Sequence, residues 1–261
     1  MGGSMNITMV ISTYKRADLL AHSLERLKKL TLPEEIIVVD DGGFDDETRE
    51  VVRAFREWSG IDCFTLVHDN PGQSICSTAR NIGVRWAKND WVLTTEPELV
   101  FCTDIVARWE RLHEDQPNDV ISTGGVHFAP EGWVPSDNPE FLGLDTEYPD
   151  SWQDARGWVA PHAALWNKEW LGEVRGWDET FPGSWGWDDT DLLTRLRMIG
   201  HGQFIDLGAE AIHLFHPLGG DEHSCNEAHF LAKDFHTGGV RDIVANREHE
   251  WGMLKVKGQN E

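Results

Sequence analysis

Ser77-Thr78-Ala79-Arg80-Asn81-Ile82-Gly83, then Trp91-Val92-Leu93-Thr94-Thr95, then Glu96-Pro97-Glu98: these three runs, in this order, decide the fold. From Ser74 to Ala87 the small and apolar residues Ile75, Ala79, Ile82, Gly83, Trp86 and Ala87 recur at roughly helical spacing, whereas Trp91 to Thr95 reads as a short buried strand. Pro97 has no amide hydrogen for a sheet ladder, so the strand ends beside it. A turn at Pro97 lets the carboxylates of Glu96 and Glu98 reach one ligand.

Working towards the N-terminus, strand and helix alternate at short spacing. Asn6 to Ile11 reads as a strand, Ala17 to Leu30 as a helix with Leu19, Leu20, Leu24 and Leu27 on one face, and Glu35 to Val39 as a buried strand. Asp45 to Trp58 follows as a helix, with Asp45 or Asp46 as its cap, and Ile61 to Val67 as a third strand. This βαβαβ order implies α/β architecture: a mostly parallel central sheet, Rossmann-like, flanked by helices. Ligands bind such sheets outside the carboxyl ends of the strands, where Ser12-Thr13-Tyr14, Asp40-Asp41-Gly42 and Glu96-Pro97-Glu98 all fall. No Gly-x-Gly-x-x-Gly follows the first strand, which disfavours a dinucleotide-binding oxidoreductase.

Working towards the C-terminus, the order loosens. A helix runs from beyond Asp104 to about Glu114, Val120 to Ser122 reads as a strand, and Gly124 to Asp154 is a Gly/Pro/Asp-rich passage of the kind that forms functional loops. Trp158 to Trp166, Gly202 to Asp206 and Ala209 to Phe215 read as strands, Asn167 to Leu171 as a short helix. Asp189 to Ile199 reads as a helix stopped by Gly200. After His236 the chain is mixed and polar, with at most a helix.

At 261 residues and 40% hydrophobic content, the chain suffices for one large domain and one core. Residues 5–235 are expected to form it, 5–105 as a nucleotide-binding half and 106–235 as an acceptor-binding half, followed by a tail over 236–261. Met1-Gly2-Gly3-Ser4 before Met5 reads as an expression remnant. With no apolar run near the roughly eighteen residues of a membrane span and no signal-peptide pattern, a soluble cytoplasmic protein is expected. Cys63, Cys76, Cys102 and Cys225 lack metal-type spacing and read as reduced. The formal charge of -22 disfavours duplex DNA as a partner. Thirteen tryptophans, eight of them between Trp133 and Trp187, serve either as core packing or as stacking surfaces for a sugar.

Several segments together resemble one family. Val10-Ile11-Ser12-Thr13-Tyr14-Lys15-Arg16, Ile37-Val38-Val39-Asp40-Asp41-Gly42-Gly43, Ala79-Arg80-Asn81-Ile82-Gly83 and Glu96-Pro97-Glu98 look like the successive signatures of family 2-like glycosyltransferases of GT-A fold. Gly176-Trp177-Asp178-Glu179-Thr180-Phe181 and Trp185-Gly186-Trp187-Asp188-Asp189-Thr190-Asp191-Leu192 resemble the acceptor-side motif shared with galactosyltransferases and polypeptide N-acetylgalactosaminyltransferases. The match spans about residues 6 to 217.

That resemblance implies a nucleotide-sugar donor, UDP-linked by preference, and transfer to an acceptor hydroxyl. Asp40 or Asp41 would accept a hydrogen bond from the nucleobase, Thr13 and Tyr14 would flank base or ribose, and Arg16 and Arg80 would face the nucleotide. The family usually carries Asp-x-Asp where this chain has Glu96-Pro97-Glu98; glutamate keeps a hard oxygen ligand but adds a methylene of reach. By resemblance Glu98 binds a divalent cation, Glu96 lies nearer the ribose, and His213 or His216 supplies a late ligand, a mixed shell that favours Mn²⁺ over Mg²⁺. Asp189 matches the family's general base, with Asp188 beside it, and its place at a helix start implies a lowered pKa; the competing role for either is a helix cap. Such a base implies inversion. Trp177 and Asp178 are expected to line the sugar or acceptor pocket or to hold their loop; Trp185 or Trp187 would stack on a sugar ring, and the Gly183 to Trp187 run is either a flap that closes or a packed turn. The acceptor is left open among a glycan, a small molecule, a peptide and a modified nucleobase, and a binding protein that lost catalysis is the alternative of a different class.

Overall fold

The computed structural model describes residues 5–42, 46–70, 76–135, 153–154, 161–183, 186–217, 223–233, 235 and 243–256. Its first half follows the alternation read above. β1 (Ile7–Thr13) leads to α1 (Ala17–Leu27), β2 (Glu35–Asp41), α2 (Asp46–Ser59), β3 (Asp62–His68), α3 (Cys76–Trp86) and β4 (Trp91–Thr95). The turn at Pro97 closes through Leu99 N–H donating to Glu96 O at 3.2 Å, and the chain then makes a short strand, β5 (Leu99–Phe101), that the sequence reading lacked. α4 (Ile105–Asp115) is capped by Asp104, whose carboxylate accepts from Ala107 N. β6 (Asp119–Phe128) is much longer than the expected strand, so the start of the Gly124 to Asp154 passage is sheet.

Two-residue β7 (Gln153–Asp154), β8 (Ala164–Asn167), α5 (Lys168–Val174), α6 (Asp188–Met198), β9 (Gly202–His213) and α7 (His223–Leu231) complete the elements. Two expected strands are one: β9 stays paired with β6 across a bulge between Thr123 and Gly125, which absorbs the Leu207-Gly208 break. α7 went unread, because its polar sequence carries no apolar stripe. The expected strand at Trp158 begins only at Ala164; 155–160 lie outside the described residues, as do Gly43, Asp45 and Trp185.

The sheet runs β3-β2-β1-β4-β8-β6-β9-β5, with β7 on β6. β1 to β4 pair in parallel throughout, and antiparallel pairing enters with β8. In β1, Met9 and Ile11 face a core built with α1, α2 and α4, while Val10 faces a second core built with α3, α5 and α6, so both sheet faces are covered. α3 lies close against β1 because Gly83 has no side chain: a Cβ there would sit 2.2 Å from Val10 Cγ1. Gly42, at φ +84°, turns β2 away at its carboxyl end.

The described part of the C-terminal segment, 243–256, is no helix but a strap over the domain. Asn246 donates to Arg175 O and Trp177 O, Gly252 N–H donates to Glu179, and Lys255 N–H donates to His68. Cys63, Cys76, Cys102 and Cys225 are free. Among the described residues no helix is long and apolar enough to cross a membrane.

Candidate active site

Strand pairing assembles the first cluster. β5 and β9 are antiparallel with Leu99 opposite His213, which sets His213 and His216 beside the Glu96-Pro97-Glu98 turn. β4 and β8 are antiparallel with Thr94 opposite Ala164; continuing that register past the strand ends brings His162 opposite Glu96. His162 Nδ1 lies 2.9 Å from Glu96 Oε2 and His216 Nε2 lies 3.0 Å from Glu98 Oε1. His213 Nε2 stands 3.7 Å from both carboxylates. Arg16, just past β1, donates to Glu98 Oε1 and stands 3.2 Å from His216 Nδ1. Glu98 Oε2 is buried and has no hydrogen-bond partner.

Charges in this cluster are strongly tuned. Burial pushes Glu96 up, but His162, His213 and Arg80 together hold its pKa down at about 2. Burial likewise opposes ionisation of Glu98, and the hydrogen bond from His216 with the nearby Arg16 outweighs it. Burial lowers His162 and His216, yet their glutamate partners hold both above the ordinary value; His213 stays below it, because burial dominates.

A second cluster lies across Arg80, which projects from α3. Its Nη1 donates to Asp188 Oδ2 at 3.1 Å and to Asp189 Oδ1 and Oδ2 at 3.0 and 3.1 Å, while Nη2 stands 3.8 Å from Glu96. Ser77 donates to Asp188 and the Trp177 indole N–H donates to Asp189 Oδ1 at 2.7 Å. Oδ1 of Asp189 thus receives two donors and Oδ2 one, so Oδ2 keeps a spare acceptor position. Neither aspartate caps its helix: α6 begins after Trp187, which sits at φ 67° with no side-chain cap. The expected lowering of the Asp189 pKa is reversed. Burial, reinforced by Asp188 and Glu96, outweighs Arg80 and Trp177 and pushes it up to about 7.

Other expected residues fall in different places. Arg80 is buried between carboxylates instead of lying open to a nucleotide. Trp177 has no exposed surface and packs edge-on against Trp166, so its ring offers no face to a sugar. Asp178 is an anchor, accepting from Thr180 and Lys233, contacts that outweigh burial and hold its pKa far below the usual carboxylate range. Trp187 packs its ring on Phe230 of α7. Thr13 and Asp40 pair across β1 and β2, Asp40 and Asp41 are fully buried with Asp41 accepting from Asn70, and Tyr14 is partly exposed with Lys15 over its ring. The expected flap is tied at both stems, since Asn226 of α7 donates to Gly183 O and Gly186 O.

Sequence reading missed His162, Asn81 and Asn226. Asn81 follows Arg80 on α3 and accepts from Trp177 N–H while donating to Trp177 O, so adjacent residues hold the acidic pair and the tryptophan that supports it. The signal for Asn81 lay in the Ala79-Arg80-Asn81 run itself. For His162 there was none, because its position depends on an antiparallel register that no local pattern announces.

The family model for glycosyl transferase family 2 matches residues 8–174. A curated relative, the uncharacterized glycosyltransferase YfnE of Bacillus subtilis (strain 168), is 26% identical over 118 residues, 45% of this chain and 29% of that protein. TarS of S. aureus superposes with a TM-score of 0.57 at 15% identity, covering 82% of this chain and 37% of that one. The mannosyltransferase PcManGT of Pyrobaculum calidifontis, in complex with GDP-Man and Mn²⁺, superposes with a TM-score of 0.57 at 16% identity, over 88% of this chain and 62% of that one. A shorter TarS, residues 1–349, has been solved with UDP-GlcNAc and matches at 0.57 and 15%. The chain therefore spans less than two thirds of the length of each of these proteins.

Proposed function

The chain belongs to glycosyl transferase family 2, and from that premise we propose that it moves a sugar from a nucleoside-diphosphate donor, UDP-linked by preference, to an acceptor hydroxyl with inversion. One observation carries the reading: a single guanidinium, Arg80, joins the aspartate pair of α6 to Glu96 of the strand-end cluster. A base for the acceptor and a cluster for the leaving diphosphate thus lie on either side of one side chain.

Asp189 is the base in this reading. A carboxylate with its pKa near 7 is ionised often enough at neutral pH to act and basic enough to take a proton. Arg80 and Trp177 orient it, leaving Oδ2 to accept the hydrogen of the attacking hydroxyl. Asp188 holds Arg80 and Ser77 in place. Attack from the base's side and departure of the diphosphate from the other inverts the anomeric carbon. Tyr14, partly exposed just past the carboxyl end of β1, borders the nucleoside, while Thr13, Asp40 and Asp41 lie buried beneath that strand-end crevice.

The residues present fit a divalent cation. Glu98, His213 and His216 bring one ligand atom each to within 4.8 Å of one another, and Glu98 Oε2 is a buried acceptor without a donor. His213 and His216 each donate Nδ1–H to a backbone carbonyl, of Leu214 and Pro217, leaving Nε2 towards Glu98, the arrangement that orients metal-binding histidines. When bound there, the ion supplies positive charge that stabilises the departing diphosphate. The neighbours solved with UDP-GlcNAc and with GDP-Man and Mn²⁺ support the donor and metal classes. Four free cysteines suit a reducing, cytoplasmic setting.

Asp189→Asn tests the mechanism. Transfer should fall by about 10²- to 10⁴-fold while donor affinity stays within a few fold. A variant that still transfers at the wild-type rate removes Asp189 as base.

A further inference from the structure

The support beneath Asp189 comes from two directions. Trp177 donates its indole N–H to Asp189 Oδ1 at 2.7 Å, so whatever fixes the Trp177 backbone fixes that donor. Asn81, next to Arg80 on α3, accepts from Trp177 N–H at 2.9 Å and donates to Trp177 O at 2.8 Å. The second hold is Asn246, which reaches the same loop from the C-terminal strap. Its Nδ2 donates to Trp177 O at 2.7 Å and to Arg175 O at 2.8 Å, and its Oδ1 accepts from Glu179 N–H at 2.9 Å. One carboxamide therefore spans the loop from Arg175 to Glu179, with Trp177 at its centre.

Local geometry commits Asn246 to this task. The loop turns through two left-handed residues, Arg175 at φ 60° and Gly176 at φ 66°, and a side-chain amide closes it. Asn246 is itself left-handed, at φ 52°, a conformation asparagine adopts more readily than most side chains, and it is buried. The strap is fixed in turn: Ala245 N–H donates to Val174 O at 3.0 Å, Gly252 N–H donates to Glu179 Oε1 at 2.7 Å, and Ile243, Trp251 and Leu254 pack against the core on the α3 side of the sheet. A Cβ at Gly176 would sit 2.6 Å from Trp251 Cε3, so loop and strap are in direct contact. Both lie beyond residue 174, where the family match ends.

We propose that Asn246 is a positioning residue for proton transfer: from the strap, its carboxamide holds the Arg175 to Glu179 loop where the Trp177 indole N–H meets Asp189. This rests on Asp189 as the base. A hydrogen bond weakens steeply as its distance and angle leave the optimum, so a loop held from the Asn81 side alone presents a poorer donor. A poorer donor favours the ionised carboxylate less, and Asp189 then ionises at higher pH. The other charged groups acting on Asp189, namely Arg80, Asp188, Glu96 and His162, all lie on elements other than the strap.

The test is the pH profile of kcat/KM for the full chain, read beside a urea melt. Asn246→Gly keeps the left-handed backbone and removes all three bonds. Its acid limb should rise by at least about half a pH unit, which lowers kcat/KM at pH 7 about twofold or more, with the donor KM within about twofold of wild type. In a Trp177→Phe background the same substitution should add nothing to the limb, because the donor it positions is gone. Val52→Ala, in the core on the opposite sheet face, is the control for lost stability: its urea midpoint should fall while its limb stays. A limb unmoved in Asn246→Gly, a limb moved as far in Val52→Ala, or an additive shift in the double variant would overturn the proposal while leaving Asp189 as base. An Asp189→Asn variant that transfers at the wild-type rate would instead remove the base, and this inference with it. Should Asn246→Gly not fold, Asn246→Asp, which keeps the acceptor for Glu179 N–H but loses both donors, is read by the same criteria.

Discussion

Trp177→Phe deletes one hydrogen bond to the candidate base and leaves its neighbours in place. The indole N–H donates to Asp189 Oδ1 at 2.7 Å from a position with no exposed surface. A hydrogen bond to a charged group contributes about 1.5–3 kcal/mol. It favours the ionised carboxylate, so losing it raises the pKa, by about one to two pH units at about 1.4 kcal/mol each. Asp189 starts from about 7. Catalysis needs the ionised form, so the acid limb of kcat/KM, near pH 7 in the wild type, should move to about 8–9. At pH 7 the ionised fraction then drops from one half to between about a tenth and a hundredth, a loss of about five- to fiftyfold in kcat/KM. The two proteins should converge only about one pH unit above the variant's own limb, at about pH 9–10. The smaller ring also leaves space beside Trp166, costing about 1–3 kcal/mol of stability, which a urea melt reads separately. The assay is donor-to-acceptor transfer from about pH 5 to about pH 10, which brackets both the wild-type limb and the shifted one. Superimposable profiles for the two proteins would refute both the role of Trp177 and the identity of the titrating group.

Gly83→Ala should destabilise the domain by about 1–3 kcal/mol, because its Cβ would meet Val10 Cγ1 at 2.2 Å inside the sheet-facing core; a urea midpoint equal to wild type would show that α3 moves freely off β1. Asn81→Ala removes the donor to Trp177 O and Glu179 and the acceptor of Trp177 N–H, all inside the fold, and should cost about 3 kcal/mol in the same melt, with transfer falling as Asp189 loses its support. Arg16→Gln removes the cation on Glu98; since Arg16 is partly exposed, the cost without metal should be only about 1 kcal/mol, and Mn²⁺ should bind roughly fivefold more tightly once this competitor is gone. Weaker Mn²⁺ binding by Arg16→Gln in a calorimetric titration would mean that the arginine assists the ion.

The parallel half of the fold was legible because each element is short, strongly periodic and bounded by its own punctuation. Trp91 to Thr95 matches β4 residue for residue, since Pro97 marks its end. The second half was harder for a physical reason: its strands pair antiparallel with distant partners, and pairing leaves no local trace. β6 runs on through Gly124 and Gly125, which read as loop but are glycines because the bulged β9 presses against them. The same cause separates the site residues. Glu96, Glu98, Asp188 and Asp189 sit at element ends that the sequence marks, whereas His162 reaches Glu96 only through the β4 and β8 register. Whether Trp177 lines the sugar pocket or holds its loop is not legible in a loop motif, because exposure leaves no local pattern; its indole points inward to Asp189. The Asp189 pKa was misjudged in the same way, since a helix start was visible and burial was not.

Thermal stability of the protein against UDP-, GDP- and TDP-sugars, each with Mn²⁺ and with a chelator, tests the central claim most directly. At about 100 times its Kd a donor should stabilise the native state by roughly 2.7 kcal/mol, and such a shift is expected for a UDP-sugar in Mn²⁺ and is lost with the chelator. A protein whose melting is indifferent to every sugar nucleotide, with and without the ion, would contradict it.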